Sequence, residues 1–578
     1  MKNSELAHIF SQIAKILKIK GENPFKIRAY ENIVSVLNGL PTDIETVYRK
    51  GELNHIPGVG KAIAKKIEEY LTTNKLEYYE RLNESVPFGV VGLLDILEIG
   101  PKTAGLLYEK LGVDSIEKLE KAVNEHRIKD LPGMGEKSEE NILRGIKAYK
   151  KRHERILLGN ALPVASNVIE HLDGMKEVQK ISIAGSLRRR AETIGDIDIL
   201  VASNHPDVIM KEFTSLPQVD EILSEGLTKS SVIIKDNIQI DLRIVDFSSF
   251  GAALQYFTGS QNHNIRIRGL AQKHGLKINE YGVYDTESEE KIAGEQEVEI
   301  YKILNLPYIP PELREDRGEI ESGLKNTLPS ILELSDLKGD LHLHTNWSDG
   351  KNSILEMAIE AREIGYQYIA ITDHSQSLGI AAGLTVEKLY EQVKEIKQLN
   401  SEIKDITILH GIEVDIKSDG SLDFPDEILS ELDIVIAAIH SGLKQEREQL
   451  TQRIISAMQN RYVHIIAHPT GRIIGYREPY QIDINRVIKI AAETGTALEI
   501  NSCPERLDLN DVYCRTAKEK GVQMAIGTDA HNTNGLKSIN YGVSVARRGW
   551  LEKEDIINTL SLNELLQRLK NKKKFSKL

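Results

Sequence analysis

Cysteine is nearly absent: the 578 residues include two, Cys503 and Cys514. That is too few for a disulfide framework or a thiolate zinc site, so any metal must sit on nitrogen and oxygen. No apolar run approaches the ~18 residues that span a bilayer. The opening MKNSELAHIF also lacks the basic segment and apolar stretch that mark export. These absences exclude a membrane role and lead to the expectation of a cytoplasmic protein. An excess of positive charge is missing too, the formal net charge being -12. Nucleic-acid enzymes usually present a basic surface to phosphate, but metal sites need carboxylates, and DNA can be held by local lysines and backbone amides.

The chain is too long for one core and should form several domains. Up to about residue 150, apolar residues recur at three and four spacings between Gly-rich breaks, the pattern of small helical modules. From Ile181, short strands (ISIAG, DIDILVAS, IQIDLRIV) mark an α/β module. A loop rich in Pro and charge, LPYIPPELREDRGE, precedes a main boundary placed between about 318 and 338. Beyond it DLHLHT, YIAITDH, ILHGIEVDI, DIVIAAIH, HIIAHP, ALEINS and QMAIGTDAH alternate with amphipathic helices, which predicts a parallel barrel. The basic end, LKNKKKFSKL, is expected to be a solvated tail.

Three segments of the helical region share an apolar residue, a tight glycine turn and a following helix: IPGVGKAIAKKI, EIGPKTAGLLYEKLG and LPGMGEKSEENIL. Gly58, Gly60, Gly100, Gly133 and Gly135 let a phosphate approach the backbone, and free amides at the next helix start favour an anion. One copy is as readily a turn between packed helices; three copies favour sequence-independent contact with the DNA backbone. The segments resemble helix-hairpin-helix motifs.

In AGSLRRRAETIGDIDILV, Asp196 and Asp198 lie two apart on a strand and share a face, while Ile197 and Ile199 face a core. Alternation in IQIDLRIV puts Asp241 on the polar face of a second strand. Three carboxylates suit a pair of Mg²⁺-like ions some ~3.5–4 Å apart, which activate a 3′ hydroxyl and stabilise a leaving pyrophosphate. A lone Asp-x-Asp is more often a solvent-facing edge; the preceding Gly-Ser turn and Arg189 supply a triphosphate cradle.

On these motifs residues 1 to about 317 resemble a family X DNA polymerase, the group that includes DNA polymerase beta. The resemblance implies that Asp196, Asp198 and Asp241 bind Mg²⁺ or Mn²⁺, with Asp241 nearest the primer hydroxyl. Gly185, Ser186 and Arg189 would hold the triphosphate, and Gly195 would lend an amide. In YFTGSQNHNIRIRGLAQKHGLKINEYG, Tyr256 and Phe257 would lie beside the sugar, with Gly259 permitting close approach. Asn264 would touch the base edge, Arg268 the template-side minor groove, and Tyr281 would close over the pair. Lys66 matches a Schiff-base nucleophile of the family's lyase module and Lys26 a residue that binds a 5′ phosphate. A second phosphate-binding lysine of the animal members falls on Ala62, with Lys61 beside it, a departure that weighs against lyase activity.

Further along, His342 and His344 leave one strand on one face, followed by Asp349. His374, Glu413, His440, His468, Asp529 and His531 each sit at or near a strand end, and in a β/α barrel all such ends meet at one mouth. The set resembles the metal-ligand set of the PHP (polymerase and histidinol phosphatase) domain, a distorted seven-stranded barrel that binds up to three divalent ions, with every ligand position filled. Mixed imidazole and carboxylate ligation favours Mn²⁺ or Zn²⁺, and such a cluster can acidify a water for attack on a phosphodiester.

The expected organisation is therefore a lyase-like helical domain (1–85), helix-hairpin-helix fingers (86–150), a nucleotidyltransferase palm (151–245), a thumb (246–317), a linker (318–337) and a PHP barrel (338–578). The expected function is repair gap filling on gapped or primer-template DNA with deoxynucleoside triphosphates, by a monomer. The barrel would serve as a 3′→5′ exonuclease, with AP endonuclease activity as an extension. The alternatives are a small-molecule phosphatase barrel and a non-catalytic scaffold.

Overall fold

The computed structural model describes residues 2–39, 44–49, 51–56, 59–73, 75–96, 99–153 and 155–575. No described helix is long and apolar enough to cross a membrane.

The described residues up to 153 are all helices and turns. The helix Lys61–Thr73 buries Ile63, Ala64 and Ile67, an i, i+1, i+4 stripe, and leaves its lysines outward or half-buried. The two expected helical modules share one buried cluster that runs from Leu6 to Ile146. The long helix Lys2–Ile19 joins them, because Gly105 of Pro101–Leu111 approaches the Ile19 carbonyl so closely that a Cβ would lie 3.2 Å from it.

A five-stranded sheet follows, in the order Lys180–Ile183, Ile197–Ala202, Ile238–Val245, Lys229–Ile234, Val219–Ser224. The central pair, Ile197–Ala202 with Ile238–Val245, is parallel and sets Asp198 opposite Asp241. Two helices, Phe250–Thr258 and Gln261–Lys273, a three-stranded antiparallel sheet and the helix Glu297–Ile303 complete this half. The segment expected as a linker is packed rather than loose: Glu319, Ile320, Ile331 and Leu332 are buried, and Ile320 and Ile331 share a cluster with Trp550.

The C-terminal part is a seven-stranded parallel sheet whose strands lie in chain order, Gly339–Leu343 through Met524–Gly527. The first and last strands meet, with His344 N–H donating to the Ala530 carbonyl at 2.9 Å and Asp529 N–H to the His342 carbonyl at 3.0 Å. The sheet thus curls into a nearly closed barrel. Its strands read as continuous apolar runs because both faces are covered. Ile369, Ile371, Val435 and Ala437 pack on the surrounding helices, whereas Tyr368, Ala370, Ile434 and Ile436 meet the C-terminal helix Leu562–Phe575 through Leu565 and Leu569.

That helix meets the expectation of a solvated basic tail only in part: Lys570 and Asn571 are exposed but Lys572 is not, and residues 576–578 lie outside the described residues. Lys572 is 2% exposed and its ammonium donates to the carbonyls of Met458, Asn460 and Val463. A cation that satisfies carbonyls at and beyond the end of the helix Arg447–Gln459 meets acceptors that would otherwise be orphaned.

Candidate active sites

The carboxylates of Asp196, Asp198 and Asp241 each offer an oxygen within 4.8 Å of the others. Burial, then the charges of Asp196 and Asp241, pushes the Asp198 carboxyl up to about 7. Three acids that oppose one another's ionisation form a site that a divalent cation relieves. Asp241 is held differently. Lys229 Nζ lies 2.7 Å from its Oδ2, and Gln239 Nε2 donates to its Oδ1 at 2.8 Å.

Gly185 and Ser186 open a four-residue helix, Gly185–Arg188, followed by the short strand Thr193–Ile194 and then by Ile197–Ala202, which carries Asp198, with Asp196 one residue ahead of it. Arg189 Nε donates to Glu315 at 3.1 Å and its Nη1 to the Thr258 carbonyl at 2.6 Å, which sets the guanidinium between the turn and Gly259 (φ +72°). Gly195 lies near Arg155. Tyr256 and Phe257 form an edge-on pair with ring centroids 5.2 Å apart, and Arg243 covers the Phe257 ring at 4.3 Å. Asn264 has its amide spent internally, accepting from Gln255 Nε2 at 2.8 Å and donating to the Tyr256 carbonyl at 2.6 Å. In this state it orders the end of the aromatic helix instead of reaching outward. Arg268 Nε lies 3.4 Å from the Asn264 carbonyl, and Tyr281 is 57% exposed.

At the barrel mouth, His344, Asp349, His374 and His531 form one group, His342, His344 and Asp529 a second, and His374, Glu413 and His440 a third. His468 joins through Nε2, 3.0 Å from Glu413 Oε1. All nine residues chosen from the sequence therefore lie in one cluster. Its chemistry fits divalent cations: His342 Nε2 and His344 Nε2 face each other at 3.1 Å, and the buried Nδ1 atoms of His344 and His468 have no hydrogen-bond partner. Burial, reinforced by the His374 charge, drives the His344 imidazole down to about 3, so its ring is neutral and free to donate a lone pair.

Family models match four stretches: Helix-hairpin-helix domain over residues 1–76, SAM-like Helix-hairpin-helix tandem over 91–148, DNA polymerase beta thumb over 253–315 and PHP domain over 340–503. A protein of Bacillus subtilis (strain 168) named DNA polymerase/3'-5' exonuclease PolX is 41% identical, covering 98% of this chain and 99% of its own. The chain belongs to the PHP-fused family X DNA polymerases. DNA polymerase lambda of Rattus norvegicus is 26% identical over 54% of this chain and 56% of its own. A probable phosphatase of Thermoanaerobacter sp. (strain X514) is 34% identical over 41% of this chain and 95% of its own. Family X membership makes DNA the substrate of the helical and palm modules, and divalent metal dependence follows for both clusters.

Sequence reasoning missed the layer behind the barrel ligands. Glu499 Oε1 meets His342 Nδ1 at 2.6 Å and its Oε2 accepts the His468 N–H at 2.6 Å. Asp415 Oδ1 meets His440 Nδ1 at 2.8 Å, and Asn501 Nδ2 donates to Asp529 Oδ2 at 3.1 Å. Such partners fix the imidazole tautomer and raise its basicity. The signal was an acidic residue inside the apolar run ALEIN, which is buried only if it is paired.

Of the glycine hairpins, Gly58 lies outside the described residues. Gly60 and Gly100 precede helices with no acidic residue in their first turn, and Gly100 is the N-cap of Pro101–Leu111. Gly133 (φ +79°) and Gly135 lead into Glu136–His153, whose buried Glu139 already accepts the amides of Ile128 and Lys129. That third hairpin is the poorest anion site of the set. Lys66 and Lys26 share the Tyr78 ring, their ammonium groups 4.8 Å and 5.6 Å from its centroid. Burial, helped by the Lys26 charge, lowers the Lys66 amine below its ordinary value.

Proposed function

We propose that the chain fills short gaps in DNA during repair and trims 3′ ends with its barrel, as a cytoplasmic monomer. The observation that carries this reading is the presence of two separate metal-ready clusters in one chain, the three-carboxylate palm site and the nine-residue barrel site, on a sequence aligned almost end to end with a protein named polymerase and 3'-5' exonuclease.

In the palm, Asp196, Asp198 and Asp241 would hold Mg²⁺ or Mn²⁺, which supply charge stabilisation for nucleotidyl transfer. Ser186, the turn amides and Arg189 bind the triphosphate by hydrogen bonds and charge, and Tyr256, Phe257 and Gly259 shape the sugar side. Lys229 beside Asp241 keeps that carboxylate ionised and oriented toward the primer terminus. In the barrel, His342, His344, Asp349, His374, Glu413, His440, His468, Asp529 and His531 would hold Mn²⁺ or Zn²⁺, up to three ions, which supply Lewis-acid chemistry for phosphodiester hydrolysis. Glu499 and Asp415 orient the imidazoles.

A second reading, a barrel that hydrolyses small phosphomonoesters, is favoured by the likeness of this half to proteins named as probable phosphatases. Assays on gapped DNA with a 3′-labelled strand separate the two. Asp241→Ala removes synthesis and spares digestion, and His344→Ala does the reverse. Loss of both activities from either change overturns the two-site reading. Absence of 3′ digestion by the wild-type chain, with turnover of a phosphomonoester, establishes the second.

A further inference from the structure

The Gly-Ser turn stands on four helical residues, Gly185–Arg188, closed by Arg189. So short a helix has little stability of its own, and its last carbonyls need donors from elsewhere. The donor for the Arg189 carbonyl comes from the barrel domain. Arg548, the last residue of the helix Ile539–Arg548, reaches it through Nη1 at 2.8 Å. The same Nη1 lies 2.9 Å from Glu315 Oε1, the atom that accepts Arg189 Nε at 3.1 Å. On its other side Arg548 Nε donates to Asp511 Oδ2 at 3.1 Å, and Asp511 also accepts from Arg317 at 2.9 Å.

These contacts form a chain of alternating charge across the domain boundary: Arg317, Asp511, Arg548, Glu315, Arg189. Three cations against two anions leave one positive charge in surplus, and the chain ends at the palm. Arg548 is 10% exposed at its side chain, so water screens the chain poorly. Without Arg548, Arg317 with Asp511 and Glu315 with Arg189 become two neutral pairs. Glu315 then belongs to Arg189 alone and competes for it with an incoming triphosphate.

We propose that Arg548 is a positioning residue for nucleotide binding in the palm, supplied by the exonuclease domain; this rests on the reading that Gly185, Ser186 and Arg189 hold the triphosphate. It fixes the carbonyl end of the turn and shares Glu315, so that Arg189 keeps charge to offer the phosphates. The barrel is thereby part of the polymerase site as well as a second enzyme.

The test is single-nucleotide insertion into gapped DNA by the full-length chain, with kcat and KM for the deoxynucleotide measured separately and 3′ digestion followed in the same preparations. Arg548→Ala is expected to raise KM about tenfold, within the usual span of coupling between sites, with kcat and digestion close to wild type. Arg548→Lys, which keeps the charge and loses the forked geometry, should fall between. Arg547→Ala breaks a neighbouring bridge across the same boundary, to Glu312 at 2.8 Å, without touching Arg189, and should leave KM unchanged. Arg189→Ala sets the scale. If Arg189→Ala raises KM while Arg548→Ala does not, the positioning role is overturned. It is equally overturned if Arg547→Ala raises KM as much as Arg548→Ala. If Arg189→Ala leaves KM unchanged, the cradle reading falls, and the inference with it.

Discussion

Gly185 packs its α-carbon against the carboxylate of Asp198. A Cβ at position 185 would land on Oδ2 and lie 3.1 Å from Cγ, and the glycine holds φ +62°. The backbone that begins the triphosphate turn and the carboxylate proposed to hold the metal are thus one packed unit.

Gly185→Ala should therefore separate the two halves of the polymerase site without unfolding the palm. The methyl displaces either the turn or Asp198, and a misplacement of about 1 Å in such a site costs on the order of 100-fold in rate. Gap filling is expected to fall by about that factor while 3′ digestion by the same sample persists. Wild-type insertion kinetics in the alanine variant would show that the close approach is incidental.

Glu297 ties the thumb to the palm. It accepts from Arg188 Nη2 at 2.7 Å and Nη1 at 2.8 Å, and from Arg314 Nη1 at 2.5 Å, with Arg314 fully buried. Burial opposes its ionisation, yet the charges of Arg314 and Arg188 win and hold the carboxyl down at about 2. A folded-state value below the unfolded one contributes stability that is complete above about pH 4.5 and is lost as pH falls toward 2. Glu297→Gln strands two arginines and should cost ~3 kcal/mol at pH 7, a difference that narrows below pH 4.5 in chemical denaturation. A constant difference from pH 7 to pH 3 would argue against the ion-pair origin.

Glu499→Gln tests the layer behind the barrel ligands. The amide cannot serve both the His342 imidazole and the His468 N–H as the carboxylate does. Metal affinity should drop 10- to 100-fold, about the usual cost of removing such a partner, with gap filling unchanged. Equilibrium dialysis against Mn²⁺ or Zn²⁺ followed by elemental analysis reads this directly. Full retention of metal at limiting concentration would reduce Glu499 to a packing role.

The barrel ligands were legible because each sits where an apolar strand ends, and the end of a parallel strand has one destination, the mouth. Asp198 and Asp241 were legible for a similar reason, since period-two alternation fixes which side chains share a face, while Asp196 sits one residue ahead of the strand Ile197–Ala202. Glu499 and Arg548 were not, because each matters through a partner far away in the chain, His342 and Glu315, and Lys229 meets Asp241 only once their neighbouring strands have paired. The strands Val219–Ser224 and Lys229–Ile234 carry polar residues in their first halves and gave no clean alternation. Asn264 shows the opposite effect. Its family role was readable by resemblance, whereas the hydrogen bonds to Gln255 and Tyr256 that engage it belong to the folded helix pair.

Lys66 offers the sharpest test of the helical module. A Schiff-base nucleophile must be neutral to attack, and burial together with the nearby Lys26 charge lowers its amine. A lyase acting through Lys66 would give covalent trapping on an abasic oligonucleotide with borohydride that rises with pH and levels off below the ordinary lysine value, whereas no trapping at any pH would show that the departure at Ala62 goes with loss of the activity. Because the Lys26 charge disfavours the protonated form of Lys66, Lys26→Met should move that midpoint to higher pH, whatever it does to DNA affinity. Lys66→Ala should abolish trapping. Trapping that survives Lys66→Ala would place the chemistry on another amine, and a midpoint unmoved by Lys26→Met would show that the Lys26 charge does not act on Lys66.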